Sequence, residues 1–102
     1  MGILSFLFGK KDNSALTEAL KNGAYLVDVR TPAEFSGGSV KGAVNIPVSN
    51  IQNQTKKFKG KKTIVVFCQS GARSGQAKRI LEQRGFENVI NGGSVRNVAR
   101  LL

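Results

Sequence analysis

The chain has 102 residues, enough for one domain around one hydrophobic core and too few for two. Apolar residues make up 40% and charged residues 22%, an ordinary balance for a soluble globular domain, and the single cysteine, Cys68, rules out an internal disulfide framework. The net charge of +10 favours anionic partners, yet no helix-turn-helix, finger or stacking platform accompanies it, so nucleic acid is not the expected partner.

Residues 1–13 read as an N-terminal extension ahead of a domain spanning 14–102. Its apolar run, Ile3 to Phe8, is too short for a membrane span or a signal-peptide core and has no charged leader. Phe6 stands where a myristoylation signal needs Ser or Thr. A cytoplasmic location is expected, with Phe6 and Phe8 open to a peripheral contact with a membrane or partner. The first helix is expected over 14–22, capped by Ser14, with Leu16, Ala19 and Leu20 on one face and Gly23 at its end. Residues 24–29, AYLVDV, form a short buried strand. In TPAEF, Thr31 is an N-cap, Pro32 holds the first helical position and Glu34 completes a capping box. AVNIP over 43–47 is a second strand, followed by a helical turn from Val48 to Thr55.

The stretch TKKFKGKK is a solvated lysine-rich turn whose single interleaved aromatic is Phe58. It belongs to a longer region, Phe35 to Leu81, with no acidic residue. KTIVVFC is the most apolar strand and should lie inside the sheet. Ser74 to Arg84 makes the strongest helix, with Ala77, Ile80 and Leu81 on its apolar face and Gly85 at its end. ENVINGG gives a last strand and turn, and SVRNVARLL a C-terminal helix. This alternation predicts a three-layer α/β domain with a mostly parallel sheet of four to five strands. Ligands of such folds sit beyond the carboxyl ends of the strands, where Cys68 falls.

A cysteine ending an apolar strand is by default an inert core residue. The loop Gln69-Ser70-Gly71-Ala72-Arg73 weighs against that reading here. Gly71 permits a positive φ, a tight loop entering a helix turns several amides inward, and the helix opening at Ser74 adds its positive dipole end. Arg73 adds a charge that suits an oxyanion. Each feature favours a thiolate, so Cys68 should have a depressed pKa without any histidine base.

From Ala24 to Gly93 the chain resembles the single-domain rhodaneses, which are thiosulfate-type sulfurtransferases. The resemblance rests on LVDVRTPAEF, GSVKGAVNIP, CQSGARSGQAKRIL and the Gly92-Gly93 pair. It implies that Cys68 carries sulfane sulfur as a persulfide, with Gln69, Ser70, Gly71, Ala72, Arg73 and Ser74 cradling the sulfur and the incoming anion. Asp28 would lie beside the loop, either orienting it or capping a helix, and Arg30 would pair with Glu34 to fix the corner. The implied substrates are thiosulfate and a thiol or cyanide acceptor, or a protein that donates or accepts sulfur. No metal or cofactor is implied, and a monomer is expected. Related phosphatases place five residues between Cys and Arg to surround a tetrahedral centre. Here four residues separate Cys68 from Arg73, a loop sized for one extra sulfur atom. Two departures stand out: Ser39 occupies a position where the family often has His, and no Trp follows Gly93.

Overall fold

The computed structural model describes residues 13–102, so the apolar run with Phe6 and Phe8 lies outside the described residues, as does all but Asn13 of the expected extension. Helix α1 (Ser14–Lys21) leads into β1 (Tyr25–Asp28), α2 (Pro32–Ser36) and β2 (Val44–Asn45). A 3-10 helix (Val48–Phe58) precedes β3 (Ile64–Cys68), α3 (Ala72–Gln83), β4 (Val89–Ser94) and α4 (Val95–Leu101). The four strands form one sheet in the order β2-β1-β3-β4, parallel throughout. Parallel strands need helical crossovers on the sheet faces, which is why the strands read as unbroken apolar runs.

Strand β3 shows how the layers are built. Its residues alternate faces, so Ile64, Val66 and Cys68 join a core with Ile51, Phe58, Ala77 and Leu81 from the 3-10 helix and α3. Val65 and Phe67 point the other way, to Leu16 and Ala19 of α1 and Val98 of α4. All five residues of the strand are buried. Phe58, the aromatic within the lysine-rich stretch, is fully buried and packs edge-on against Tyr25 and Phe86, so it offers nothing for a base to stack on. Lys61 lies over the Tyr25 ring with its Nζ 4.4 Å from the centroid.

Most expected elements are present, with shifted ends. Asn13, not Ser14, sits at the cap of α1, and the 3-10 helix runs on to Phe58 rather than stopping at Thr55. Helix α3 begins at Ala72 with Gly71 as its cap, two residues before the expected opening at Ser74. The capping box of α2 is complete: Thr31 Oγ1 accepts from the Glu34 amide and Glu34 accepts from the Thr31 amide. The β3–β4 register slips between Val66 and Phe67, pairing Val66 with Asn91 but Phe67 with Gly93. Gly92 is the extra residue of this bulge. A Cβ there would stand 2.8 Å from Val98 Cγ2 and 3.0 Å from Val65 Cγ1, so close packing of α4 on β3 requires glycine. No helix among the described residues is long and apolar enough to cross a membrane.

Candidate active site

Because the strands are parallel, Asp28, Asn45, Cys68 and Ser94 reach the same edge of the sheet at their carboxyl ends. Cys68 is a free cysteine, 1% exposed as a residue, at the end of β3. The chain then turns back through Gly71, whose φ of +106° lies in the region open to glycine. Gly71 is the cap of α3 but has no side chain with which to accept the first helical amides. The sulfur takes that place: the Gly71 amide donates to Cys68 Sγ at 3.0 Å and the Ser74 amide at 3.4 Å. The Ser74 hydroxyl lies 3.5 Å from the same sulfur.

Burial pushes the Cys68 thiol pKa up, but the Ser74 hydroxyl and the amides of Ser74, Gly71 and Ser70 outweigh it, so the net shift is downward. A backbone-lined nest at a helix start therefore favours the thiolate, as the sequence leads one to expect.

The charged residues are arranged differently from the sequence expectation. Arg30 does not pair with Glu34. It wraps Asp28 instead, with Nη2 2.8 Å from Oδ2, Nε 3.0 Å from Oδ1 and its own amide 3.0 Å from Oδ1. Asp28 is fully buried and caps no helix; its remaining donor is the Ser39 hydroxyl at 2.7 Å. That contact gives the departure from His at position 39 a concrete role, since serine supplies a donor to the buried carboxylate. Burial raises the Asp28 pKa, while the hydrogen bonds from Arg30 and Ser39 lower it by more, leaving it below the usual carboxylate value. Arg30 also donates to the Gly38 carbonyl at 2.8 Å and approaches Gln69 Oε1 at 3.5 Å, which is how the Asp28 corner touches the cysteine loop.

Glu34 turns to the loop. It grips Arg73 in a fork, Oε1 to Nη1 at 2.8 Å and Oε2 to Nη2 at 3.0 Å, with both side chains 35% exposed. The Arg73 hydrogen bond, helped by Thr31, holds the Glu34 carboxyl down at about 2. Arg73 is thus already engaged by a carboxylate and is not a bare charge awaiting an anion.

One residue of the site escaped the sequence reading. Asn91 of β4 accepts from the Ser74 hydroxyl at 2.6 Å and donates to the Gly71 carbonyl at 3.2 Å. Its only signal in the sequence is a polar residue inside VINGG. A separate groove of about 690 Å³, lined by Tyr25, Leu26, Gly42, Gly60, Lys61 and Thr63, lies at the opposite, amino-terminal ends of β1 and β3. It shares no residue with the thiol site.

The rhodanese-like domain family model matches residues 12–95. The chain belongs to the rhodanese-like domain family. Thiosulfate sulfurtransferase PspE of Escherichia coli is 36% identical over 75 residues, covering 72% of each chain. A sulfurtransferase of Allochromatium vinosum is 35% identical over 82 residues, covering 78% of this chain and 77% of its own. Among solved structures, a rhodanese with anions from E. coli superposes with a TM-score of 0.69 at 34% identity, covering 76% of this chain and 93% of that one. The rhodanese resemblance drawn from the Cys68 loop, the DVR corner and the glycine pair is therefore correct, and so is the parallel α/β fold read from the alternation of strands and helices.

Proposed function

We propose that this rhodanese-like protein is a sulfurtransferase that carries sulfane sulfur on Cys68, from thiosulfate or a persulfide donor to a thiophilic acceptor. The observation that carries the reading is the sulfur at the head of α3, receiving the Gly71 and Ser74 amides in place of a capping side chain. The Cys68 thiolate attacks the outer sulfur of thiosulfate, a new S–S bond forms, and the old S–S bond breaks with its electron pair leaving on sulfite. Cyanide or a thiolate then attacks the outer sulfur of the Cys68 persulfide, and the Cys68 thiolate leaves. No proton need move in either displacement, which suits a site with no histidine. Gln69, Ser70, Gly71, Ala72, Arg73 and Ser74 surround the sulfur that is carried, and Asp28 and Arg30 brace the loop from the corner that follows β1. A reducing compartment such as the cytoplasm fits a cysteine that must return to the thiolate.

A relay role for a protein partner is the second reading. It is favoured by the Glu34 carboxylate on Arg73, which a small dianion such as thiosulfate must displace or share. Steady-state rates with thiosulfate and with a protein persulfide donor separate the two.

The common chemistry is tested by mass spectrometry of the intact protein. The protein should gain the mass of one sulfur atom from thiosulfate and lose it to cyanide. Cys68→Ser, nearly isosteric, should keep the fold and lose both the mass gain and the transfer. Undiminished transfer by Cys68→Ser would overturn the proposal.

A further inference from the structure

A hydroxyl has one proton to give. That of Ser74 has three acceptors within reach: Asn91 Oδ1 at 2.6 Å, the Gly71 carbonyl at 3.1 Å and Cys68 Sγ at 3.5 Å. The shortest contact takes the proton, so Ser74 donates to Asn91 and its oxygen is left to accept from the Cys68 S–H. The Asn91 amide cannot be turned around. Its Oδ1 also accepts from the Gly93 amide at 2.9 Å, and its Nδ2 donates to the Gly71 carbonyl at 3.2 Å. Exchanging the two ends would set donor against donor at Gly93 and acceptor against acceptor at Gly71. Helix α3 closes over the amide at Gly75, where a Cβ would already lie 3.4 Å from Nδ2.

An anionic sulfur changes the contest. A thiolate cannot donate to Ser74, and a hydrogen bond to a charged acceptor is roughly twice as strong as a neutral one. The Ser74 proton then gains more by turning to sulfur than by staying on the amide oxygen. Asn91 loses little in the exchange, because Gly93 still donates to Oδ1.

We propose that Asn91 is a positioning residue for Cys68. It holds the single proton of the Ser74 hydroxyl while the sulfur is a thiol and yields it when the sulfur is an anion. Through Nδ2 it also holds the Gly71 carbonyl, one peptide unit beyond the Gly71 amide that donates to the sulfur. The sulfur thereby acquires a further donor, beside the backbone amides of the loop, only in the charge state that needs one. The proposal deepens the reading of Cys68 as the sulfur carrier and rests on it for its meaning. The titration of the thiol, however, can be followed with no sulfur donor present.

The test is a double-mutant cycle on the Cys68 pKa, read from the pH dependence of alkylation by iodoacetamide. Asn91→Ala removes the stronger competitor for the Ser74 proton, leaving the neutral Gly71 carbonyl at 3.1 Å, and also loosens the loop at Gly71; in a Ser74→Ala background only the loosening remains. The difference isolates the proton. Asn91→Ala should lower the thiol pKa by about one unit more when Ser74 is present than when it is absent, the scale of one hydrogen bond to a charged group. Asn91→Asp is the second arm, because a carboxylate holds the Ser74 proton more tightly. It should raise the pKa, and by more with Ser74 than without. Its added charge acts in both backgrounds and cancels from the difference. The other charges facing the sulfur are Arg73 of α3 and, behind it, Glu34 of α2 and the Asp28–Arg30 pair at the end of β1. Strand β4 carries none, and neither arm alters the others.

A purely structural Asn91 would shift the urea midpoint of each variant and leave both couplings at zero. Zero coupling in an arm that folds, or coupling of the opposite sign, overturns the proposal. Either result leaves the thiosulfate mass gain untouched, so failure here and failure of the sulfurtransferase reading are told apart.

Discussion

Two carboxylate–arginine pairs flank the cysteine loop, and they are built in opposite ways. Asp28 and Arg30 are fully and almost fully buried, two residues apart, and bound by a cluster of short hydrogen bonds that Ser39 and the Gly38 carbonyl complete. Glu34 and Arg73 are each one-third exposed, 39 residues apart, and held by a single fork. A buried ion pair is costly to assemble and far more costly to break, because the survivor is stranded without water. An exposed pair contributes little to stability and can be exchanged for another partner. The first pair is therefore a brace, and the second is an exchangeable contact on the arginine that follows the cysteine loop and feels the charge of Cys68.

The largest expected effect breaks the brace. Asp28→Ala leaves the Arg30 guanidinium buried and unpaired, and should cost about 3–5 kcal/mol in urea unfolding. A loss no larger than that of an exposed substitution would show that Arg30 simply swings into solvent. Next in size, Glu34→Gln keeps the helix-capping hydrogen bond but removes the charge that engages Arg73. Thiosulfate or sulfate affinity should rise about tenfold, read by the titration of loop amide shifts, with little change in the unfolding midpoint. An unchanged affinity would mean that Arg73 does not meet the anion. The smallest effect is in the acid range. Both carboxylates have folded pKa values below their unfolded ones, so each contributes stability above its unfolded value and loses it as pH falls through its folded value. For Glu34 that window runs from 4.5 down to about 2. In Arg73→Ala the Glu34 midpoint, followed by carboxyl NMR, should return toward 4.5. Asp28 should stay below 3.8 in the same variant. If both midpoints move together, the two pairs form one network and the contrast fails.

What the sequence disclosed was local. The capping box over Thr31 to Glu34, the apolar run of β3 and the positive φ of Gly71 each depend on residues a few positions apart, and each formed as expected. The pairing of Arg30 with Glu34, implied by the family resemblance, does not form: Arg30 lies before the cap of α2, beside the Asp28 carboxylate, and bonds there instead. Thr31 already fixes Glu34 Oε1, through its amide at 3.0 Å and its hydroxyl at 3.1 Å, which turns the carboxylate outward to Arg73. The start of α3 was misplaced because its cap is a glycine, and the acceptor for its amides is a sulfur three residues earlier. Asn91 was invisible because its partners Ser74 and Gly71 are 17 and 20 residues away. Only the parallel pairing of β3 with β4 brings them together.

The bulge at Gly92 sets a parity rule for the end of the chain. Asn91 must reach the cysteine loop, while Ser94, three residues on, must cap α4 by accepting from the Asn97 amide at 3.0 Å. A regular strand turns successive side chains to opposite faces, so the spare residue decides which face each later position meets. Losing or gaining one residue between Asn91 and Ser94 would not merely shorten or lengthen a loop. It would invert the sidedness of everything that follows, detaching the last helix from the layer it covers even if the thiol end of the sheet kept its shape. The length of this segment is thus constrained more tightly than its composition, apart from its two glycines, Gly92 for close packing and Gly93 for its φ of +83°.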